Sequence, residues 1–216
     1  MKIAVLGTGP VGRNLATKLV QLGHEVRMGS RTADNKNAVA WKQANGPKAS
    51  NGTFADAAAF GELIFNCTNG QHTLEALNAA GAKNLEGKVI VDVANPLDFS
   101  AGELRLTVSN TDSLGEQVQR AFPKAKVVKA LNTVNTDIQV NPAILPEQHD
   151  LFISGNDPEA KAKVTELLKS FGWKSVIDLG DIKSARGQEA LLLLFMPLSK
   201  AFQGGYFNYR IVSNKR

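Results

Sequence analysis

The sequence predicts an α/β fold, a doubly wound parallel sheet followed by a small α+β C-terminal part. Three observations carry that expectation. Near-continuous apolar runs at Lys2–Leu6, Leu63–Cys67 and Val89–Asp92 read as strands buried on both faces. Stretches with helical period fall between them, as parallel crossovers require. A glycine-rich turn, Gly7 to Gly12, joins the first strand to the first helix.

Each element follows in order. After the glycine turn, Val11, Leu15 and Leu19 recur every fourth residue up to Leu22, and Gly23 stands where a helix C-cap belongs. Glu25–Met28 is a second short strand, which completes a right-handed βαβ unit. Residues 35–52, rich in Asn, Gly and Lys around a middling helix, read as a mobile surface segment. Ala55–Phe60 is a short helix, and a helix over His72–Ala80 separates the strands Leu63–Cys67 and Val89–Asp92. Residues 102–111 show no period, Ser113–Ala121 is helical, and Lys126–Leu131 is a strand once Pro123 has broken that helix.

Pro142 and Pro146 mark a change of regime, so the chain divides into residues 1–140 and a smaller unit, 141–216. In the second unit Leu151–Ser154 is a strand and Asp157 caps a helix, with Pro158 at its first position and Val164, Leu167, Leu168 and Phe171 on its buried face. Trp173–Ile177 is the last strand. Residues 184–202 are helical and apolar on more than one face, through Leu191–Phe195 and Leu198. One core contact does not need that much apolar surface. The helix is expected to pack on a second subunit, with a fully buried monomeric helix as the alternative.

The 216 residues are 43% hydrophobic and 21% charged, the balance of an ordinary globular protein, which excludes disordered and fibrous classes. A net charge of +5 suits anionic small molecules, but the cations are scattered with no Lys/Arg run, so no nucleic-acid partner is expected. The single cysteine, Cys67, forms no internal disulfide, and no charged and apolar leader is visible, so a cytoplasmic location is expected. The longest apolar run, Ala190–Leu198, contains Pro197 and falls short of the roughly 20 residues a membrane helix needs. No membrane contact is expected.

Gly7-Thr8-Gly9-Pro10-Val11-Gly12 matches the dinucleotide fingerprint G-x-G-x-x-G. Its setting, between a buried strand and a helix at the head of the chain, gives the match its weight. The first glycine allows the turn, the second lets a pyrophosphate approach the backbone, and the third lets the helix lie close. The fold is therefore expected to be of Rossmann type, with residues 1–140 as its dinucleotide-binding domain.

When the adenine ribose has a free 2′-hydroxyl, the second strand usually ends in a carboxylate. Here it runs into Gly29-Ser30-Arg31. Ser30 can donate to a 2′-phosphate and Arg31 can hold it with paired, charge-assisted bonds, so the cofactor read from these residues is NADP. Lys36 is either a third phosphate contact or a solvated lysine.

Ligands in open α/β sheets sit beyond the C-terminal ends of the strands. Three polar turns qualify there: Cys67-Thr68-Asn69, Ala94-Asn95-Pro96-Leu97 and Leu131-Asn132-Thr133-Val134. Each carries amides or hydroxyls suited to a ribose or carboxamide, although turn residues in any protein look alike. Cys67 has no cysteine partner and no evident base, so it reads as a small buried hydrophobe. His24, His72 and His149 lack ligand spacing, and no metal is expected. Neither Lys88 nor Lys200 is singled out as a proton donor. Hydride transfer needs none where the reacting carbons are stacked in a water-poor cleft.

Gly7 to Gly12, Leu22-Gly23-His24-Glu25-Val26, Gly29-Ser30-Arg31 and Ala130-Leu131-Asn132-Thr133-Val134 together resemble the NADPH-dependent reductases of coenzyme F420. Val91-Asp92-Val93-Ala94-Asn95-Pro96-Leu97, Asp178-Leu179-Gly180-Asp181, Ala185-Arg186 and Glu189-Ala190-Leu191 look like that family's later motifs. The resemblance implies hydride transfer between the nicotinamide and a deazaflavin, stacked in a cleft between a Rossmann domain and a small C-terminal domain, in a homodimer. It implies that Thr8, Ser30, Arg31 and Lys36 hold the adenine-side phosphate, while the turns at Thr68, Asn95 and Asn132 flank the nicotinamide and acceptor. Archaeal members carry histidine where this chain has Asn132, and asparagine there resembles the bacterial branch. A flavin or another small acceptor is therefore an alternative to the deazaflavin. Vertebrate ferric reductases share this domain type and join it to a membrane domain.

Two rival readings stand beside this one. β-Hydroxyacid dehydrogenases and pyrroline-carboxylate reductases open with a similar fingerprint, but the former need a long all-helical second domain with a catalytic lysine. A non-catalytic NADP-sensing module shares the fold. An enzyme leaves a second cavity against the nicotinamide face and a sensor fills it with side chains; Phe152, Met196 and Phe207 are candidates for either lining.

Overall fold

The computed structural model describes residues 1–214. In chain order its elements are β1 (Lys2–Leu6), α1 (Pro10–Gln21), β2 (Glu25–Ser30), α2 (Lys36–Ala44), β3 (Ala49–Thr53), α3 (Phe54–Phe60), β4 (Leu63–Asn66), α4 (Thr73–Ala80) and α5 (Ala82–Leu85). There follow β5 (Val89–Asp92), β6 (Leu97–Asp98), β7 (Arg105–Leu106), α6 (Leu114–Ala121), β8 (Lys126–Ala130), α7 (Thr136–Val140), β9 (Leu151–Gly155), α8 (Pro158–Ser170), β10 (Val176–Asp178) and α9 (Ala185–Ala201). Eight strands form one sheet in the order β10-β9-β8-β5-β4-β1-β2-β3, and β6 and β7 form a separate hairpin.

The first strand shows why its sequence is apolar at every position. Ile3 and Val5 face the cluster that includes Leu15, Leu19 and Val26, under α1 and α2, while Ala4 and Leu6 face Ala57, Ile64 and Leu77, under α3 and α4. Both sides of the sheet are covered, so the period-two alternation separates two cores rather than core from solvent. The order runs outward from β1 in both directions, to β2 on one side and β4 on the other. The crevice between the ends of β1 and β4 is the topological switch point, where such sheets bind ligands.

Residues 35–52 are built rather than bare. Asn35 caps α2 by accepting from the amides of Asn37 and Ala38, Trp41 is buried, and β3 adds an edge strand to β2. The Ala-Ser-Asn-Gly-Thr stretch of β3 shows no apolar alternation because an edge strand buries little, and backbone pairing with β2 carries it. Trp173 is buried with its ring N–H donating to the Gln139 carbonyl, so the last strand begins later, at Val176. Asp157 caps α8 as expected, accepting from the Ala160 amide at 2.8 Å.

The strands after Pro146 join the same sheet. β9 pairs antiparallel with β8, Val128 opposite Gly155 and Ala130 opposite Ile153, and β10 lies parallel to β9 at the sheet edge. Helix α9 begins against the sheet, with Ala185, Gln188, Glu189 and Leu192 buried, and then leaves Leu193, Leu194 and Met196 about half exposed. Phe195 and Phe202 flank Phe207, at ring separations of 4.8 and 5.7 Å. Among the described residues no helix is long and apolar enough to cross a membrane.

Candidate active site

The glycine turn is shaped by close approaches. Gly7 has φ +117° and donates to the Gly29 carbonyl at 3.0 Å, and a Cβ there would lie 2.5 Å from the Cys67 carbonyl oxygen. A Cβ on Gly12 would lie 2.3 Å from the Gly7 oxygen. Both positions are glycine because backbone occupies the space. Gly9 differs: nothing lies within 4 Å of where its Cβ would be. Gly9 is the N-cap of α1 and supplies no side chain to the first helical amides, and Pro10 at the first position has no N–H to satisfy. An open, uncapped helix start beside a glycine suits an anionic pyrophosphate.

A cavity of about 330 Å³ opens from this turn. Gly7, Thr8 and Gly9 form one part of its wall, Ser30, Arg31 and Asn35 another, and Phe54, Ala76 and Ala79 supply apolar surface suited to a base. Among the described residues Arg31 makes no ion pair, and it is exposed. Ser30 is buried and its hydroxyl donates to the Thr32 carbonyl at 2.6 Å, so the expected donor to a 2′-phosphate has its one proton committed within the loop. Glu75 is the acidic residue in the wall, and it pairs at 3.4 Å with His72. Lys36, the first residue of α2, is exposed and lies outside the wall, where Asn35 stands instead.

A second cavity of about 220 Å³ adjoins the first along β4's turn: Cys67, Thr68 and Asn69 line both. Its remaining wall includes Val11, Val93, Leu97 and Phe99 together with Ala94 and Asn95. Thr68 donates to Asn66 Oδ1 at 2.7 Å, and Asn69 accepts from the Gln71 amide. Burial, reinforced by Asp92, pushes the Cys67 thiol well above its ordinary range. It is an apolar filler rather than a thiolate. Gly12, Pro10, Pro96 and Asn132 line neither cavity, and the same holds for Phe152, Met196 and Phe207.

Pro96 and Asn132 act behind the walls. The Pro96 carbonyl accepts from the Thr107 amide at 2.8 Å, which ties the β6–β7 hairpin to the turn. Asn132 is buried, donates to Asn95 Oδ1 at 3.0 Å and to the Gln188 carbonyl at 3.1 Å, and receives the Asn95 amide on its own carbonyl at 2.8 Å. Both N–H bonds of Asn132 are thus used inside the protein.

Beneath this turn lies a buried charge cluster that sequence reasoning missed. Lys129 Nζ is 2.8 Å from Asp92 Oδ2 and 2.8 Å from Glu189 Oε1, and all three side chains are essentially inaccessible to water. Burial alone would lower the lysine, but the two carboxylates outweigh it and hold its pKa above the ordinary value. The signal was in the register: Asp92, the charged residue of an otherwise apolar β5, stands opposite Lys129, which interrupts the apolar positions of β8. Among the described residues no group of acidic, histidine or cysteine side chains is placed to hold a metal ion.

Comparison with known proteins supplies the rest. Residues 2–96 match the profile of the family described as NADP oxidoreductase, coenzyme F420-dependent. The F420-dependent NADP reductase of Methanocaldococcus jannaschii is 29% identical over 224 residues, covering 99% of both chains. The rat metalloreductase STEAP3 is 30% identical over 91% of this chain, which spans only 37% of that protein. A protein from Arthrobacter sp. FB24, provisionally assigned as an F420-dependent NADP reductase, is 50% identical, with a TM-score of 0.95 over 99% of this chain and 100% of its own. With its Rossmann-type sheet and open glycine turn, the chain belongs to the coenzyme F420-dependent NADP oxidoreductase family and is an NADP-dependent oxidoreductase.

Proposed function

We propose that the chain transfers a hydride between NADP(H) and the deazaflavin coenzyme F420. The observation that carries this reading is the pair of adjoining cavities at the switch point, joined along Cys67, Thr68 and Asn69. The first suits the adenine half: the turn at Thr8 and Gly9 and the uncapped start of α1 take the pyrophosphate, and Arg31, with Thr8, takes the 2′-phosphate. Lys36 contributes no more than surface charge.

The second cavity, apolar at Val11, Val93, Leu97 and Phe99 and edged by the amides of Asn69 and Asn95, suits a nicotinamide with a planar ring against it. When bound, NADPH supplies the hydride, and the acceptor takes up one further proton from solvent. The chain's own residues orient the rings and exclude water, and no side-chain acid is needed. A cavity left open at this position supports catalysis over nucleotide sensing. Residues 1–140 carry the nucleotide, and the later residues contribute α9, whose exposed Leu193, Leu194 and Met196 take a second copy of the chain.

Titrating F420 into the NADP-loaded protein tests the acceptor directly, because a bound deazaflavin changes its fluorescence. Saturable binding that requires NADP supports the reading; equal or better binding of FMN would move the assignment to flavins.

A further inference from the structure

We propose that Gln188 and Glu189, neighbours on α9, are positioning residues for hydride transfer: through Asn132 and Lys129 they fix Asn95 and Ala94, consecutive residues in the wall of the second cavity. This rests on reading that cavity as the nicotinamide end of the site.

Neither residue touches either cavity, so any effect on chemistry must pass through others. Two paths are present. Glu189 Oε1 is 2.8 Å from Lys129 Nζ, and the same ammonium donates to Asp92 and to the Ala94 carbonyl at 2.5 Å. An ammonium has three protons, and all three are committed, so the Ala94 carbonyl has one place to be. Glu189 is itself held from behind, accepting from the Leu114 and Gly115 amides at 2.9 and 3.0 Å, the first two of α6.

The second path starts one residue earlier. Gln188 is fully buried; its main-chain carbonyl accepts from Asn132, and its side-chain amide donates to Asn132 Oδ1 at 3.4 Å and to the Phe152 carbonyl at 3.2 Å. Asn132 then exchanges two hydrogen bonds with Asn95. Consecutive residues on a helix thus hold consecutive residues in the turn.

Stability alone does not account for this arrangement. Two carboxylates against one ammonium leave excess negative charge away from water, offset in part by the amides at the start of α6. Apolar residues of similar volume at such clusters are often no less stable. What the polar version adds is direction, one geometry for the Ala94 carbonyl and the Asn95 side chain.

The test uses Glu189→Gln, which keeps size and a carbonyl acceptor, Gln188→Met, which removes the side-chain contact to Asn132 Oδ1 and leaves the main-chain one, and Arg186→Met as a control. Arg186 ties α9 to Glu116 of α6, away from the turn. Two readouts are taken: the emission anisotropy of bound NADPH with no acceptor present, and the single-turnover rate of hydride transfer to F420 at saturating NADPH. For Glu189→Gln and Gln188→Met we expect lower anisotropy and a rate reduced about tenfold or more, with NADPH affinity within about threefold of wild type, because orientation and not affinity is lost.

Arg186→Met should melt earlier but keep both readouts. If the two α9 variants merely melt earlier, like the control, the proposal is overturned. It is overturned equally if neither folds, for the cluster is then a folding requirement. Should the wild type transfer no hydride to F420, the acceptor assignment fails, and the anisotropy comparison still decides the positioning role.

Discussion

Asn95 and Asn132 clasp each other across the ends of β5 and β8, the Asn95 amide on the Asn132 carbonyl at 2.8 Å and the Asn132 amide on Asn95 Oδ1 at 3.0 Å. The pair joins a cavity-wall residue to a buried one. Asn132→Ala takes the Asn132 donor from Asn95 Oδ1 and the second donor from the Gln188 main-chain carbonyl, which keeps its place in the helical ladder of α9. We expect a loss of about 0.5–1.5 kcal/mol, the net contribution of a hydrogen bond whose partners are not left stranded. At this chain length that lowers the melting temperature by about 2–4 °C per kcal/mol. Calorimetry checks it, and an unchanged transition would mean that the clasp contributes nothing.

Arg31 is exposed at the rim of the first cavity and, among the described residues, free of ion pairs. Arg31→Ala should weaken NADPH binding by about 1.5–3 kcal/mol, as loss of a charged hydrogen bond does, and barely change NADH binding. Titration calorimetry with both nucleotides decides. Equal losses would remove Arg31 from the 2′-phosphate.

Gly9 and Gly12 separate binding from folding. A methyl on Gly12 meets the Gly7 backbone oxygen, so Gly12→Ala should destabilise the fold by about 1–3 kcal/mol, the usual cost of overpacking. A methyl on Gly9 meets nothing in the protein. Gly9→Ala should therefore keep the wild-type melting temperature and lose NADPH affinity, because the methyl occupies the approach of the pyrophosphate. Loss of stability in Gly9→Ala, or undiminished NADPH affinity, would contradict this reading of the turn.

The fold was legible where burial imposes a period. The apolar runs at β1, β4 and β5 and the four-residue repeat of α1 appear in the sequence because each sits in a covered core. β3 was not legible, since an edge strand of Ala, Ser, Asn, Gly and Thr is held by backbone pairing. In the site, glycine chemistry and the missing carboxylate after β2 pointed to the adenine half. The support behind the other half was hidden, because Gln188 and Glu189 lie more than fifty residues from Lys129 and Asn132, a separation no local pattern spans.

On α9, Leu192 is buried while Leu193, Leu194 and Met196 are about half exposed. The proposed pairing of two chains through this face predicts that the wild type sediments as a dimer and Leu193→Arg as a monomer. A variant that sediments as the wild type does would remove this face from subunit association.

Asp112 accepts two bonds from the Arg120 guanidinium, which hold its carboxyl down at about 2. A depressed folded-state value means that the pair stabilises the fold above the ordinary carboxylate range and that this is lost as pH falls through about 2. Asp112→Asn should therefore be slightly less stable than wild type near neutral pH, with the gap closing in acid. Arg120 is largely exposed, so the gap is small and shrinks with salt. A gap that persists unchanged in acid would show that the ion pair is not its source.

The most direct test of the central claim is oxidation of NADPH followed at the nicotinamide absorbance band, with coenzyme F420, FMN and riboflavin offered in parallel and NADH as the control donor. Rapid turnover with F420 that requires NADPH rather than NADH is the predicted result. Binding of NADPH without turnover of the deazaflavin would contradict it and return the second cavity to a different acceptor.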